Sequence, residues 1–208
     1  MAAEKIVAGV DEAGRGPIAG PVLAAAAILS LPQITVLMAE GLDDSKKLSE
    51  RERERLFSRM SELGVVWRAQ AATHVRIDRT DILRATLWAM ARAVRSLPVE
   101  PEVVIVDGTV CIPDVNIARE KQIAMPKADA KVPAVMAASV VAKTLRDRVM
   151  KNLGKLYPDY NFAGHKGYPT RAHRLALDVL GPSPVHRMSF GGYNKGGKAR
   201  AEAKLWPS

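Results

Sequence analysis

Two short apolar runs stand out in the pattern of hydrophobic and polar positions, and each of them ends in acidic residues. One begins at Ile6 and runs into Asp11 and Glu12; the other begins at Val103 and runs into Asp107. Uninterrupted apolar runs of this length are typical of strands that are buried on both faces of a sheet. The pattern therefore predicts two buried strands.

The rest of the pattern predicts three further strands and four helices. The five predicted strands lie at 5–10, 21–29, 65–71, 103–107 and 122–125. Residues 21–29 follow a glycine-containing turn, which favours a strand antiparallel to the first. Ser49 and Glu52 have the spacing of a capping box, and Pro133 is suited to the first turn of a helix. The predicted helices run from 49 to 62, from 78 or 80 to before 98, from 133 to 153, and from 169 or 170 to 180.

This order of elements predicts an α/β protein with a mixed five-stranded sheet flanked by helices. The sheet and its helices are expected to form one domain over residues 1–160. A small C-terminal helical segment with a tail is expected over 161–208.

The carboxylates that close the two apolar runs are the first candidate for chemistry. If these strands are parallel neighbours, Asp11 and Asp107 lie side by side at the carboxyl edge of the sheet, where α/β proteins bind ligands. Two ionised carboxylates at that distance repel each other, so one is protonated or a cation lies between them. Arg15, within a Gly-Arg-Gly-Pro loop, adds a positive charge that favours a phosphate beside the cation. The alternative is an Asx-type turn followed by a solvated Glu12.

Composition narrows the choice of partner and compartment. The chain has 208 residues, and 31 Lys and Arg exceed 22 Asp and Glu, giving a formal charge of +9. Such a balance favours a polyanionic partner, although charge that only maintains solubility is the alternative. A single cysteine, Cys111, excludes an internal disulfide and favours the cytoplasm. The longest apolar run, near 22–29, is too short to span a bilayer, and we expect a monomer with no membrane association.

Six motifs, in order and at familiar separations, resemble the ribonuclease HII family. They are Asp11-Glu12-Ala13-Gly14-Arg15-Gly16-Pro17, Asp44-Ser45-Lys46-Lys47-Leu48, Val106-Asp107-Gly108, a stretch from Ala137 through Lys143 to Asp147, His165-Lys166-Gly167-Tyr168-Pro169-Thr170, and Ser189-Phe190-Gly191. The resemblance implies a ribonuclease H-like fold for residues 1–160. It also implies a metal-dependent endonuclease for the RNA strand of RNA–DNA hybrids and for single ribonucleotides in duplex DNA. The products would carry 3′-hydroxyl and 5′-phosphate ends.

The resemblance also implies a set of metal ligands: Asp11, Glu12, Asp107 and Asp129. Oxygen ligands of this kind bind Mg²⁺ or Mn²⁺, and two such ions can support phosphodiester hydrolysis. Asp129 lies in Ala128-Asp129-Ala130 where the family usually has Gly-Asp-Ser, and its alternative role is a charge at the start of the helix at Pro133. Adjacent strand residues point to opposite faces, so Asp11 and Glu12 share a site only if the strand ends or bulges between them.

The remaining candidate residues would bind or support the substrate. By resemblance the binding residues are Gly14, Arg15, Gly16, Ser45, Lys46, Lys47 and Tyr168, and the supporting residues are Lys143 and Arg146. Arg146 is expected to act through Asp147 or the acidic cluster. The alternatives are a solvated basic loop at 45–47 and a core tyrosine at Tyr168.

Two functions compete with the one that the resemblance implies. One is another nuclease or a strand-transfer enzyme on the same fold, which the Tyr168 motif and the Gly-Arg-Gly loop disfavour. The other is a non-catalytic nucleic-acid-binding protein, which would be expected to lose acidic residues that this chain retains. Asp81 also departs from the family, which commonly has Asn there. His165, His173 and His186 lack the spacing of a zinc site.

Overall fold

A computed structural model describes residues 5–113 and 117–190, and its centre is a mixed five-stranded sheet. The strands are β1 (Val7–Ala13), β2 (Val22–Ile28), β3 (Val66–Ala72), β4 (Val103–Asp107) and β5 (Gln122–Met125), in the spatial order β3-β2-β1-β4-β5. The β1–β2 and β2–β3 pairs are antiparallel, whereas β1–β4 and β4–β5 are parallel. The predicted mixed sheet of five strands is confirmed.

Seven α-helices surround this sheet in the described residues. They are α1 (Leu31–Ala39), α2 (Glu50–Glu62), α3 (His74–Arg79), α4 (Ile82–Arg95), α5 (Pro133–Leu156), α6 (Phe162–His165) and α7 (Arg171–Leu180). Ser49 caps α2 as predicted, and its side chain accepts a hydrogen bond from the Glu52 backbone N–H. The sequence prediction omitted α1, α3 and α6. It also started α4 too early, because Asp81 is the residue that caps that helix.

Alternation along β2 separates the two layers of the core. Val22, Ala24 and Ala26 pack with α4 on one face, and Leu23 and Ala25 pack with α2 and α5 on the other. Small side chains allow α5 to approach the sheet closely. At Gly9 an added Cβ would lie 2.2 Å from the carbonyl carbon of Ala134, so only glycine fits there.

Strand β1 is longer than predicted, which matters for the acidic pair at its end. Its pairing with β2 continues through Glu12 to Ala13, opposite Leu23, where the sequence prediction ended the strand at residue 10. The strand neither ends nor bulges between Asp11 and Glu12. Because successive residues of an unbroken strand alternate in direction, the side chains of Asp11 and Glu12 point to opposite faces of the sheet.

The C-terminal segment packs against the loop between β1 and β2. Ala19, Met150 and Phe162 form a small apolar cluster, and a short bridge pairs Ala19 with His186. The division into two parts at residue 160 stays a prediction, and the tail at 191–208 lies outside the described residues. Across 5–113 and 117–190, no helix has the length and apolar character needed to cross a membrane.

Candidate active site

Three carboxylates meet at the carboxyl ends of the central parallel strands. Val10 of β1 lies opposite Val106 of β4, and this register brings Asp11 and Asp107 to neighbouring positions. Asp129 reaches them from a 3₁₀ turn at Ala128–Ala130. One oxygen from each of these three carboxylates lies within 4.8 Å of the others. The arrangement is compact enough for one cation to contact several carboxylates.

Asp129 is held by the turn that carries it. Lys127 adopts a left-handed conformation with φ of 59°, and Ala128 then begins the 3₁₀ turn. The Ala128 N–H donates a 2.8 Å hydrogen bond to Oδ1 of Asp107. Alanine in place of the family's usual glycine is therefore compatible with the turn, because the left-handed position falls one residue earlier. The Asp129 side chain is buried beside Asp107 rather than lying free at the start of α5.

Burial and neighbouring negative charges make Asp11 and Asp107 hard to ionise. Burial is the main reason that the pKa of Asp11 lies well above its ordinary value, and the charges of Glu12 and Asp107 add to the effect. Burial also raises the pKa of Asp107, and the charge of Asp129 contributes. A bound cation would offset both effects. The buried oxygen-only donor set suits a hard divalent ion such as Mg²⁺ or Mn²⁺.

Glu12 borders the same cavity but lies outside the set of three carboxylates. It lines a cavity of about 210 Å³ together with Asp11 and Asp107. Its backbone N–H donates a 2.7 Å hydrogen bond to Oδ1 of Asp11, and its carboxylate lies 3.8 Å from the Arg15 guanidinium. Burial raises the pKa of Glu12, although the charge of Arg15 opposes that shift. Glu12 therefore reaches the cavity of Asp11 from an unbroken strand, so neither a strand end nor a bulge is needed for both residues to line it.

The Gly-Arg-Gly loop is placed beside the carboxylates by close packing against α5 and Tyr168. Gly14 has a φ of +100°, and an added Cβ there would lie 1.9 Å from Nε of Arg146. No other residue type fits this position without displacing that arginine. The Tyr168 ring lies beside Gly16, since a Cβ added at Gly16 would be 3.6 Å from it. Loop and ring both line the cavity that holds Asp11.

Arg146 supports the site differently from the expectation that it acts through Asp147 or the acidic cluster. Its guanidinium donates to the carbonyls of Pro21 at 3.0 Å, Lys166 at 3.0 Å and Ala19 at 3.4 Å. Burial lowers its pKa to about 10, which still leaves it charged at neutral pH. Arg146 therefore joins the loop after β1 to the segment that precedes Tyr168.

Arg187 is a supporting residue that the sequence analysis missed. It is fully buried, and its guanidinium donates to the carbonyls of Gly14 at 2.7 Å, Gly20 at 2.9 Å and Arg15 at 3.0 Å. These contacts fix the orientation of the peptide groups on both sides of Arg15. Nothing in the local sequence indicates this role, because the carbonyls lie about 170 residues away along the chain.

The three residues of the loop at 45–47 have different partners in the structure, although all three were expected to bind phosphate. Lys46 Nζ lies 2.7 Å from Oδ2 of Asp129, whereas Lys47 forms an exposed ion pair with Asp43. Burial alone would lower the pKa of Lys46, but the hydrogen bond and charge of Asp129 raise it above its ordinary value. Ser45 is buried, and its hydroxyl lies 2.7 Å from that of Ser139.

A buried ion-pair network of Arg53, Asp147 and Lys143 packs against this loop. Arg53 donates to the carbonyls of Ser45 and Leu48 and to the carboxylate of Asp147. Lys143, which lines the cavity, donates to the other oxygen of Asp147 at 2.7 Å. Burial lowers the pKa of Lys143, and Asp147 opposes that shift. Asp147 therefore couples Lys143 to the loop at 45–47.

Comparisons with known proteins agree with this architecture. A family model described as Ribonuclease HII matches residues 8–192. The chain is 50% identical over 186 residues to a ribonuclease HII of Dechloromonas aromatica (strain RCB), covering 89% of this chain and 91% of the relative. It is similar to the crystal structure of ribonuclease H2 from Pyrococcus horikoshii OT3, with a TM-score of 0.72, 30% identity and coverage of 89% and 93%.

A more distant solved structure shares the fold. It is Bst-RNase HIII in complex with Mn²⁺, with a TM-score of 0.71, 22% identity and coverage of 89% of this chain and 67% of the other. The likeness to both solved structures confirms the predicted ribonuclease H-like fold.

Proposed function

This chain belongs to the ribonuclease HII family and is a ribonuclease H-type endonuclease, and we propose that it cuts both RNA–DNA hybrids and single ribonucleotides embedded in duplex DNA. The cut would leave 3′-hydroxyl and 5′-phosphate ends. The observation that carries the proposal is the set of three clustered carboxylates, two of them buried, beside the Gly-Arg-Gly loop and Tyr168. This arrangement combines a candidate metal site with groups that can meet a sugar.

The proposed cofactor is Mg²⁺ or Mn²⁺, with two ions present when substrate is bound. Asp11, Asp107 and Asp129 would hold the metal, and Glu12 would complete the site. The bound metal would supply Lewis-acid stabilisation of the phosphate and a lowered pKa for the attacking water. Raised carboxylate pKa values and an oxygen-only donor set support this assignment.

The protein's own groups would position the nucleic acid. Arg187 holds the carbonyls of Gly14 and Arg15, so the loop can present fixed peptide groups to a ribose without rearranging. A 2′-hydroxyl is the feature that distinguishes RNA from DNA at one nucleotide. Arg15, whose side chain is half exposed, and Lys46 provide positive charge for the phosphates.

Tyr168 would report whether DNA follows the ribonucleotide. Its side chain is 43% exposed at the cavity, which is more than the core tyrosine of the alternative reading would be. The ring can pack on a deoxyribose, where an additional hydroxyl would crowd it. Because Pro169 follows and Thr170 caps α7, the backbone on its C-terminal side is held by regular structure.

Two substrates and one chelator test this proposal. The enzyme is incubated with an all-RNA strand in a hybrid and with a DNA duplex that contains one ribonucleotide, in EDTA, Mg²⁺ or Mn²⁺. We expect metal-dependent cutting of both, with a 5′-phosphate on the downstream fragment. Equal cutting in EDTA would overturn the metal assignment, and cutting of only the hybrid would overturn the second substrate.

A monomeric state and a cytoplasmic location stay predictions.

A further inference from the structure

A chain of hydrogen bonds through two buried histidines ends on the backbone of Tyr168. The Ser183 backbone N–H donates to Nδ1 of His186 at 2.8 Å, and the Ser183 hydroxyl lies 2.8 Å from the same nitrogen. Nε2 of His186 lies 2.9 Å from Nε2 of His173. Nδ1 of His173 lies 2.9 Å from the carbonyl oxygen of Tyr168. Both imidazoles are buried, so water does not replace these contacts at low cost.

The two ends of this chain fix the position of every proton in it. A backbone N–H can only donate, so Nδ1 of His186 must accept and its Nε2 carries the hydrogen in the neutral ring. A carbonyl can only accept, so Nδ1 of His173 carries a hydrogen and its Nε2 is free to accept. The two assignments agree at the central contact, where His186 donates to His173. Both rings are therefore neutral and of opposite tautomers.

We propose that His186 and His173 form a neutral relay that positions Tyr168, and that this relay contributes to recognition of a single ribonucleotide followed by DNA. The inference rests on the proposed function of Tyr168 and deepens it. Both histidines are positioning residues, since they reach the substrate only through Tyr168.

The residue after His186 gives the relay a second connection to the site. Arg187 binds the carbonyls of Gly14 and Arg15, while the His186 ring leads to Tyr168. The Arg187 backbone N–H also donates to the Ile18 carbonyl at 2.9 Å. One short segment thus determines the placement of both groups proposed to read the sugar. A shift of this segment would change the distance between the Gly-Arg-Gly loop and the Tyr168 ring.

The surroundings of the relay oppose a positive charge. The ring centroids of His165 and His173 are 4.1 Å apart, and Tyr160 packs on His186 with centroids 5.2 Å apart. Burial lowers the pKa of His173, and the charges of His165 and Arg174 contribute. Burial also lowers the pKa of His186 to about 4, with contributions from His173, His165 and His74. The phenol of Tyr160 packs on His186, and the uncharged ring of Phe162 packs on both His173 and His186.

The tautomers provide a test that does not depend on cleavage of a substrate. Nitrogen-15 NMR of the four imidazoles in the full-length protein at pH 7 should identify a neutral ring with hydrogen on Nδ1, assigned to His173, and a neutral ring with hydrogen on Nε2 that is lost in a His186→Gln sample. The Nδ1–H ring should be lost in a His173→Gln sample, which assigns it. A charged His173 at pH 7, or hydrogen on Nε2 of that ring, would overturn the relay.

A pair of amide variants tests the consequence for cutting. His173→Asn can keep an N–H near the Nδ1 position that faces Tyr168, whereas His173→Gln places its amide toward His186. We expect His173→Gln to lower single-turnover cutting of the one-ribonucleotide duplex, relative to the all-RNA hybrid, by about tenfold. His173→Asn should recover most of this ratio. Equal ratios in both variants and the parent would overturn the inference.

Tyr168→Ala, measured on the same two substrates, separates the inference from the proposed function. If Tyr168→Ala changes the substrate ratio and His173→Gln does not, Tyr168 keeps its proposed role and the relay loses its own. If Tyr168→Ala leaves the ratio unchanged, junction recognition by Tyr168 is wrong, and the inference that depends on it is overturned as well.

Discussion

The carboxylate cluster and the loops around it both contain buried charged side chains, but the charges have opposite kinds of neighbour. At the carboxyl edge of the sheet, Asp11, Asp107 and Asp129 bring like charges together. In the loops around this cluster, Arg146 and Arg187 each donate to three backbone carbonyls, and we call these two residues the arginine frame. The pKa values of Asp11 and Asp107 are raised, mainly by burial and in part by neighbouring negative charges, whereas the charges of the two arginines face carbonyl oxygens of the fold itself.

The two kinds of buried charge contribute differently to stability and to activity. A buried cation that satisfies several carbonyls stabilises the loops it joins, and its loss leaves those carbonyls unsatisfied. A cluster of buried carboxylates costs free energy until a cation binds. We therefore expect substitutions in the carboxylate cluster to abolish activity without loss of stability. Substitutions in the arginine frame should lower stability and activity together.

The largest expected effect on activity is that of Asp107→Asn. The substitution keeps the size of the side chain and an oxygen that can accept the Ala128 N–H, but it removes a charge from the metal site. We expect cutting to fall by at least about a thousandfold while hybrid binding is largely retained, because phosphate contacts elsewhere dominate affinity. Single-turnover cleavage and filter binding measure the two quantities. Near-normal turnover in Mg²⁺ would contradict the metal assignment.

The next effect is the loss of stability expected for Arg187→Lys. Lysine keeps the charge but cannot reach the carbonyls of Gly14, Arg15 and Gly20 together, and we expect a loss of about 2–4 kcal/mol in the free energy of unfolding. Urea denaturation measures it. Arg148→Lys is the matched control, because Arg148 forms a surface pair with Glu54 and should lose less than about 1 kcal/mol. Equal losses in both variants would contradict the role of Arg187.

Tyr168→Ala should affect specificity more than stability. The side chain is partly exposed at the cavity, so its removal leaves little unfilled space in the core. We expect cutting of the one-ribonucleotide duplex to fall by about tenfold or more, with a change in unfolding free energy under about 1 kcal/mol. Tyr168→Phe should lie between the parent and Tyr168→Ala. The checks are single-turnover cleavage and a thermal melt, and unchanged cutting by Tyr168→Ala would place junction recognition elsewhere.

The smallest expected effect is on the salt dependence of binding. In the structure Lys46 neutralises Asp129, and Lys47 pairs with Asp43 at the surface. If each lysine binds a phosphate in the complex, Lys46→Ala or Lys47→Ala should reduce the salt slope by about one. An unchanged slope in both variants would favour the alternative of a solvated basic loop.

The sheet and the acidic edge were predictable because both depend on local patterns. Apolar runs that end in Asp11 and Asp107 indicate buried parallel strands, and the edge where such strands end is fixed by their direction. Helix α1 was missed, although Ser30 with Gln33 three residues later has capping-box spacing.

The contacts of the arginine frame could not be predicted in the same way. Arg146 was singled out by resemblance, but its partners are carbonyls, which every residue carries and no side chain identifies. Arg187 makes contacts across about 170 residues of chain, so their formation depends on the tertiary fold. The length of β1 could not be predicted either, because it depends on pairing with β2, which continues past Asp11 to Ala13 opposite Leu23.

If repulsion among the carboxylates destabilises the metal-free protein, Asp107→Asn should be thermally more stable than the parent when no metal is bound. The pKa of Asp107 is raised in the folded protein above its ordinary value of 3.8, so the stability associated with this group is full below that value and is lost as the pH rises through the folded pKa. Parent and variant are melted in EDTA at pH 5 and pH 8, and again at pH 8 with Mn²⁺.

We predict that in EDTA at pH 8 the variant melts about 2–4 °C above the parent, as expected for about 1 kcal/mol of relieved repulsion. The gap should be smaller at pH 5. Mn²⁺ should raise the melting temperature of the parent more than that of the variant. A variant that melts below the parent in EDTA at pH 8 would contradict destabilisation by this repulsion.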